Sequence, residues 1–399
     1  MMKDKKLNEL ASALRALVIF RKLLGDEVIV LLRQLLESET ADSATRLEKY
    51  AEFVCALYQS HTNLTEYVLS IVLENENFYI VRAAKGIAQN EMLNECLENE
   101  LKTLQKLSQI KPEELQADLS CNTALPKWET SEIDFSAAYR ERLNNLSKFG
   151  YGHYAKSPMF QVRNGKTVSV KYPDTIRLSD LSGYEYERQA VVDNTLALLA
   201  GKPAQNVLLY GDAGTGKSST VKAIVNEYAD QGLRLIQLSK DQIHEIPNIV
   251  ESVMENPLKF ILFLDDLSFS SDDDSFNALK ASLEGSVSAH AENLVIYATS
   301  NRRHFVRERF SDRDGDDIHR NDTIEENFSL VARFGLRVNF GKPNKNDYLH
   351  IVKALAGQSG IELSDDKLYA QAEAFAIGNG GRSPRTARQF IRQLCGGMR

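Results

Sequence analysis

Val207-Leu208-Leu209-Tyr210-Gly211-Asp212-Ala213-Gly214-Thr215-Gly216-Lys217-Ser218 decides how this chain is read. The first four residues are apolar and β-prone, the mark of a buried strand. The next eight fit the pattern G-x-x-x-x-G-K-[ST]. A loop that wraps a row of phosphates must turn its N–H groups inward, through backbone angles that a Cβ resists, hence the glycines. Lys217 is placed to reach the β- and γ-phosphates of a nucleoside triphosphate, and Ser218 to offer its hydroxyl to Mg²⁺. Residues 219–229 then read as a helix whose N-terminal amides and dipole favour the same anion. With a strand before it and a helix after it, the pattern is rarely an accidental glycine-rich turn.

Downstream, Leu233–Leu238 reads as a second strand and 247–255 as a helix. Residues 260–264, Phe-Ile-Leu-Phe-Leu, are an uninterrupted apolar run, typical of a central parallel strand covered on both faces. The run ends in Asp265-Asp266. In a doubly wound sheet a carboxylate at that strand end lies beside the phosphate loop. Asp265 is therefore the candidate metal carboxylate, directly or through water. Asp266 is the candidate for orienting or deprotonating an attacking water. A bland alternative is a helix-capping aspartate. After a helix at 275–283, a strand at 294–299 ends in Ser300-Asn301-Arg302-Arg303, and Asn301 is the preferred polar group for the γ-phosphate or that water. Residues 311–327 read as an exposed polar loop. Arg333 precedes a strand within 328–340. Beyond the break at Lys342-Pro343, three helices are expected at 347–356, 364–377 and 385–394. Arg382, Arg385 and Arg388 crowd the start of the last one, against its dipole. An anionic ligand is the simple reason.

Upstream, residues 3 to about 120 read as helical: Leu7, Leu10, Leu14 and Leu17 recur at helix spacing, and glycine and proline are scarce. A helical bundle packed on itself is the expectation, with a partner-recognition module as the sharper alternative. Residues 121 to about 177 mix Trp128, Tyr151, His153 and Tyr154 with Lys156, Arg163, Lys166 and Lys171. That composition suits a linker that packs its aromatics, and less well a surface for single-stranded nucleic acid. Ser182-Gly183 is a turn, and 185–199 an amphipathic helix.

The whole chain of 399 residues has room for two or three domains. A net charge of −7 does not favour nucleic acid or an anionic membrane. The best apolar run, 28–32, is far shorter than a membrane span. Four scattered cysteines, Cys55, Cys96, Cys121 and Cys395, suggest a reducing compartment rather than a disulfide framework or zinc site. A cytoplasmic protein is expected.

Residues 178–399 resemble the AAA+ ATPases: phosphate loop, Asp-Asp strand end, Thr-Ser-Asn strand end, Ala-Arg-Phe-Gly box and a helical lid with late arginines, in that order. The wording N-V-L-L-Y-G-D-A-G-T-G-K-S-S, F-L-D-D-L-S-F, I-Y-A-T-S-N-R-R-H and R-T-A-R-Q-F is similar to bacterial AAA+ ATPases grouped under a domain of unknown function. The resemblance implies an α/β P-loop sheet sandwiched by helices (178–341), a C-terminal helical lid (342–399) and an all-helical N-terminal domain (1–120), with 121–177 as linker. It implies ATP and Mg²⁺ as ligands and a homo-oligomer. Gly211, Asp212, Ala213, Gly214, Thr215, Gly216, Lys217 and Ser218 would be Walker A, continued by Ser219, and Asp265 the Walker B metal carboxylate. Asn301 would be sensor 1, Arg333 an arginine finger given to a neighbour's nucleotide, and Arg385 sensor 2. Leu181, Gly183 and Tyr184 would lie near the adenine.

Two departures bear on activity. Walker B usually ends Asp-Glu; Asp266 is one methylene shorter, about 1.5 Å of reach, and a 1 Å misplacement can cost ~10²-fold in rate. Slow hydrolysis is expected, with Glu284 as a possible assistant. The segment 239–247 lacks the aromatic-glycine pore loop of protein-threading unfoldases. A loader, remodeller or ATP-gated switch acting on an unknown protein partner is expected instead, with a non-hydrolysing ATP-bound scaffold as the alternative. The GTPase-like strings Asn344-Lys345-Asn346-Asp347 and Asp312-Arg313-Asp314-Gly315 do not end apolar strands, so a GTPase is disfavoured.

Overall fold

A computed structural model of the chain describes residues 2–38, 42–116, 119, 124–267, 274–283, 292–301 and 330–397. They form two compact units, Met1–Lys156 and Ser157–Arg399. Glu284, Arg302, Arg303 and the 312–315 string lie outside the described residues.

The N-terminal unit is helical. Its longer helices are Met2–Arg15, Glu27–Glu37, Ser43–Tyr58, Leu64–Glu74, Glu91–Ser108 and Phe135–Asn144. Asp26, Asp42, Asn63, Asn90 and Asp134 start five of them, each accepting an amide of the first turn. Leu7, Leu10, Leu14 and Leu17 are all buried, as their spacing predicts. Trp128 is 4% exposed; it meets Phe53 edge-to-face at 5.1 Å and donates Nε1–H to the Ile110 carbonyl at 2.9 Å. Tyr139 and Tyr151 join the same core, so Trp128 and Tyr151 of the aromatic segment pack inside this unit. The carboxylate of Glu100, on the helix Glu91–Ser108, accepts the backbone N–H groups of Val18 (2.7 Å), Ile19 (3.1 and 3.2 Å) and Phe20 (3.0 Å).

The C-terminal unit is built on seven strands: β1 (Met159–Arg163), β2 (Lys166–Ser169), β3 (Val207–Gly211), β4 (Leu233–Leu238), β5 (Lys259–Leu264), β6 (Leu294–Ser300) and β7 (Leu336–Phe340). Their order is β2-β1-β4-β5-β6-β3-β7. Pairing is parallel except for the β1–β2 hairpin. That hairpin turns at Asn164-Gly165, both with positive φ (50° and 71°), as a two-residue turn with right-handed strand twist requires. Alternate residues of the parallel strands, among them Val207, Leu209, Ile261, Phe263, Val295 and Tyr297, pack against Val191, Val221 and Ile224 of the helices Glu185–Leu199 and Lys217–Tyr228. The intervening Leu208, Phe260, Leu262, Leu264 and Ile296 are equally buried, so both faces are covered, as parallel sheets demand.

Beyond β7 the helices Lys345–Gln358, Asp365–Gly378 and Pro384–Cys395 share a small core of their own, including Tyr348, Ile351, Ala372 and Phe390. Asn344 caps the first of them by accepting Asp347 N–H at 3.0 Å, which accounts for the N-K-x-D string. No described helix is long and apolar enough to cross a membrane.

Candidate functional site

The strand order sets β6 between β3 and β5, so three strand tips meet at one end of the sheet, where open α/β sheets bind ligands. β3 ends in Gly211 at φ 131°, and a Cβ there would collide with the Phe340 carbonyl. Only glycine lets the phosphate loop leave the sheet beside β7. Gly214 (φ 79°) and Gly216 (φ 98°) turn the loop into the helix Lys217–Tyr228. The amides of Ala213, Gly214, Thr215 and Gly216 have no hydrogen-bond partner among the described residues. Lys217, 5% exposed, spans the loop: its Nζ donates to the carbonyls of Gly211 (3.1 Å) and Asp212 (2.7 Å) and to Asn301 Oδ1 (2.9 Å). Burial pushes its ammonium below the ordinary lysine value; Asp212, Asp266 and Asp265 pull it back up, and Arg385 adds to the depression.

The β5 tip supplies the two carboxylates. Asp265 Oδ1 accepts Ser218 Oγ–H at 2.5 Å and Thr299 Oγ1–H at 2.7 Å. The Thr299 hydroxyl in turn accepts Asp266 N–H at 2.8 Å. Asp266 takes the left-handed conformation (φ 54°), and its Oδ1 accepts Asn301 Nδ2–H at 2.6 Å. The residues at the tips of β3, β5 and β6 are thus one hydrogen-bonded set, Ser218–Asp265–Thr299–Asp266–Asn301–Lys217.

These groups line a cavity of about 610 Å³. Leu181, Ala213 to Ser219, Asp265, Asp266, Asn301 and Arg385 of the expected site all border it. Arg385 comes from the lid: its backbone N–H donates to the Gly214 carbonyl at 3.1 Å. Gly211 and Asp212 shape the loop from behind, with Asp212 Oδ2 accepting Lys342 N–H at 3.0 Å. Gly183 and Tyr184 also stand behind the lining. Tyr184 stacks on Phe340 (5.2 Å, 27°) and donates its hydroxyl to the Gly341 carbonyl at 2.6 Å. Arg333, half-buried three residues before β7, does not border the cavity.

Five cations, Arg188, Lys217, Arg385, Arg388 and Arg392, line the cavity against two carboxylates, and Leu181, Ile351 and Leu355 give it an apolar wall. Unpartnered amides and surplus positive charge suit phosphates, and the apolar wall suits a base. One hydroxyl and one or two carboxylates beside a phosphate site also fit Mg²⁺, which takes few protein ligands. No cluster of three or more acidic, histidine or cysteine side chains competes for a metal among the described residues.

Sequence reasoning singled out neither Thr299 nor Arg188, and Gln389 and Arg392 escaped it too. The last two were visible as continuations of one helix face, at four and seven residues past Arg385. Of the three arginines assigned to an anionic ligand, Arg382 is corrected: its guanidinium holds Glu373 at 2.9 and 2.7 Å.

Strand order and site together give this unit the α/β fold of the phosphate-loop class, with the loop, the β5 carboxylates and the β6 tip at one end of a mostly parallel sheet. A model of the family described as "Protein of unknown function (DUF815)" matches residues 155–398, and the chain belongs to that family. No curated protein matches it. Among solved structures it is similar to the Thermotoga maritima RuvB Holliday junction branch migration motor, at 16% identity and a TM-score of 0.39, over 55% of this chain and 64% of that one. Two mutants of the same motor match at the same identity and TM-score, over 55% and 56% of this chain and 65% of theirs. The chain therefore spans less than two thirds of each.

Proposed function

We propose that the C-terminal unit is an ATPase that binds ATP with Mg²⁺ and uses hydrolysis to move its helical lid, remodelling or switching an unknown protein partner. The carrying observation is the single hydrogen-bonded set that joins Lys217, Ser218, Asp265, Asp266 and Asn301 at one cavity, with Arg385 of the lid on the Gly214 carbonyl. In this reading Lys217 releases its loop carbonyls and turns to the β- and γ-phosphates, while the Ala213 to Gly216 amides cradle them. Ser218 and Asp265 would hold Mg²⁺, which would supply positive charge against the phosphate oxygens. Asp266 accepts a proton from the attacking water, and Asn301 orients both. Arg385 reads the γ-phosphate from the lid. Leu181 forms the base side, with Gly183 and Tyr184 backing it from behind the lining.

Arg333 lies off the cavity lining, which suits a finger given to a neighbouring subunit in a homo-oligomer. Cys55, Cys96 and Cys395 are free thiols, in keeping with a cytoplasmic location. A protein-threading role is disfavoured because 239–247 carries neither aromatic nor glycine.

One observation favours a second reading. The short carboxylate of Asp266 is turned onto Asn301, which suits an ATP-bound scaffold with negligible turnover. Purified protein decides: turnover that Lys217→Ala lowers by roughly 10²-fold or more marks the enzyme. Tight ATP binding without measurable phosphate release marks the scaffold, and no ATP binding at all would sink both.

A further inference from the structure

The loop Asp180–Gly183 is held by its carbonyls, from two sides. From the α/β side, Arg188 Nη1 donates to the Gly183 carbonyl and Nη2 to the Leu181 carbonyl at 3.0 Å. Glu185 closes this clamp: its Oε1 accepts Gly183 N–H at 2.8 Å and lies 3.4 Å from Arg188 Nη2. From the lid, Arg388 Nη2 donates to the Asp180 carbonyl at 3.1 Å, and Gln358 Nε2 to the neighbouring Ser179 carbonyl at 3.0 Å. The lid also touches the loop directly, since a Cβ on Gly183 would come within 2.7 Å of Ile351 Cδ1.

Both arginines line the cavity, yet the hydrogen bonds described for them run mainly to main-chain carbonyls rather than toward the phosphate loop. Burial pushes the Arg188 guanidinium below its ordinary range, so the clamp holds a desolvated cation in place. Arg388 sits about 4.5 Å further along the lid helix than Arg385, at 1.5 Å per residue. Two of the lid arginines thus meet different loops: Arg385 the phosphate loop through its backbone N–H, Arg388 the Asp180–Gly183 loop through its guanidinium.

We infer that Arg188 and Arg388 are positioning residues for the nucleobase, one fixing the Leu181–Gly183 wall from the sheet side and the other tying it to the lid. This rests on the nucleotide reading above. A wall whose carbonyls are already engaged needs no ordering when a base arrives. It also makes base recognition depend on a docked lid.

The test separates base from phosphate. Binding of ADP and of inorganic tripolyphosphate, each with Mg²⁺, is measured by calorimetry on the full chain. Arg188→Ala is expected to weaken ADP about thirtyfold and Arg388→Ala about fivefold, while tripolyphosphate changes less than about twofold in both. Arg388→Gln, which keeps a donor, should recover most of the ADP affinity. Gln358→Ala removes one carbonyl hold and no charge, so it should show the same selective loss at about threefold, whether or not Arg188→Ala folds. Equal losses for both probes, or none for either, would overturn the inference. A wild-type chain that binds neither probe would instead overturn the nucleotide reading.

Discussion

The two units both gather main-chain amides around a place for negative charge, and they fill it in opposite ways. In the helical unit the chain brings its own anion: Glu100, 7% exposed, takes three consecutive amides at 18–20. In the α/β unit the amides of 213–216 are left without partners among the described residues, and the charged side chains lining their cavity are mostly cations. An internal anion makes a permanent brace, because breaking it strands buried donors. A withheld anion makes a receptor. Lys217 stands between the two designs. Its bonds to the Gly211 and Asp212 carbonyls satisfy it within its own loop, and they are bonds that arriving phosphates would replace.

The sharpest break of this comparison would come from outside the subunit. If the receptor is completed by a neighbour, Arg333→Ala should lower turnover by about 10³-fold and leave ADP affinity within about twofold. Mixing that variant with Lys217→Ala subunits should restore part of the rate. Failure to restore any at every ratio would place Arg333 outside the neighbour's site. Glu100→Ala comes next: three amides lose a charged acceptor, at a cost of about 3–5 kcal/mol to the helical unit. Trp128, the one tryptophan of the chain, is buried in that unit and reports its unfolding in urea. A cost under about 1 kcal/mol would mean that the brace is dispensable.

These two sites also differ in how far they can be read from sequence. The phosphate loop is local, and its glycines, lysine and flanking strand announce themselves within twelve residues. The strands were legible for the same reason: 260–264 expected as a buried run is β5, and 294–299 is β6 within one residue. Glu100 carried no such signal. A glutamate on an amphipathic helix looks like surface charge, and only the chain crossing at 18–20 makes it an anchor. The β1–β2 hairpin lay between these cases. Asn164-Gly165 is a strong turn signal, but β2 is too polar to read as a strand. The partner of Arg382, Glu373, sits nine residues back across a helix and a turn, so the sequence alone shows only a cation against the helix dipole. The Arg188 clamp needed the loop geometry itself.

The smallest effect tests how finely the receptor is tuned. Asp212 sits in the phosphate loop behind the cavity lining, and its carboxylate lies near where phosphates are expected. Its Oδ2 accepts Lys342 N–H at the entrance to the lid, and its charge helps keep Lys217 protonated. Asp212→Asn keeps an acceptor for Lys342 and removes only the charge. Near neutral pH, ADP affinity should then rise about two- to threefold, as one repelling charge is lost, and the gain should fade in high salt. At alkaline pH the sign reverses. Lys217 is charged below its pKa, and burial already holds that value under the 10.5 of an exposed lysine. Binding that needs the ammonium is therefore lost as pH rises through the lowered value. Without Asp212 the value drops further, so the variant should lose ADP at a lower pH than wild type. Titrations across pH would show the two affinity curves crossing. Parallel curves would mean that Asp212 acts on the lid entrance alone, and that the charge in the loop is incidental.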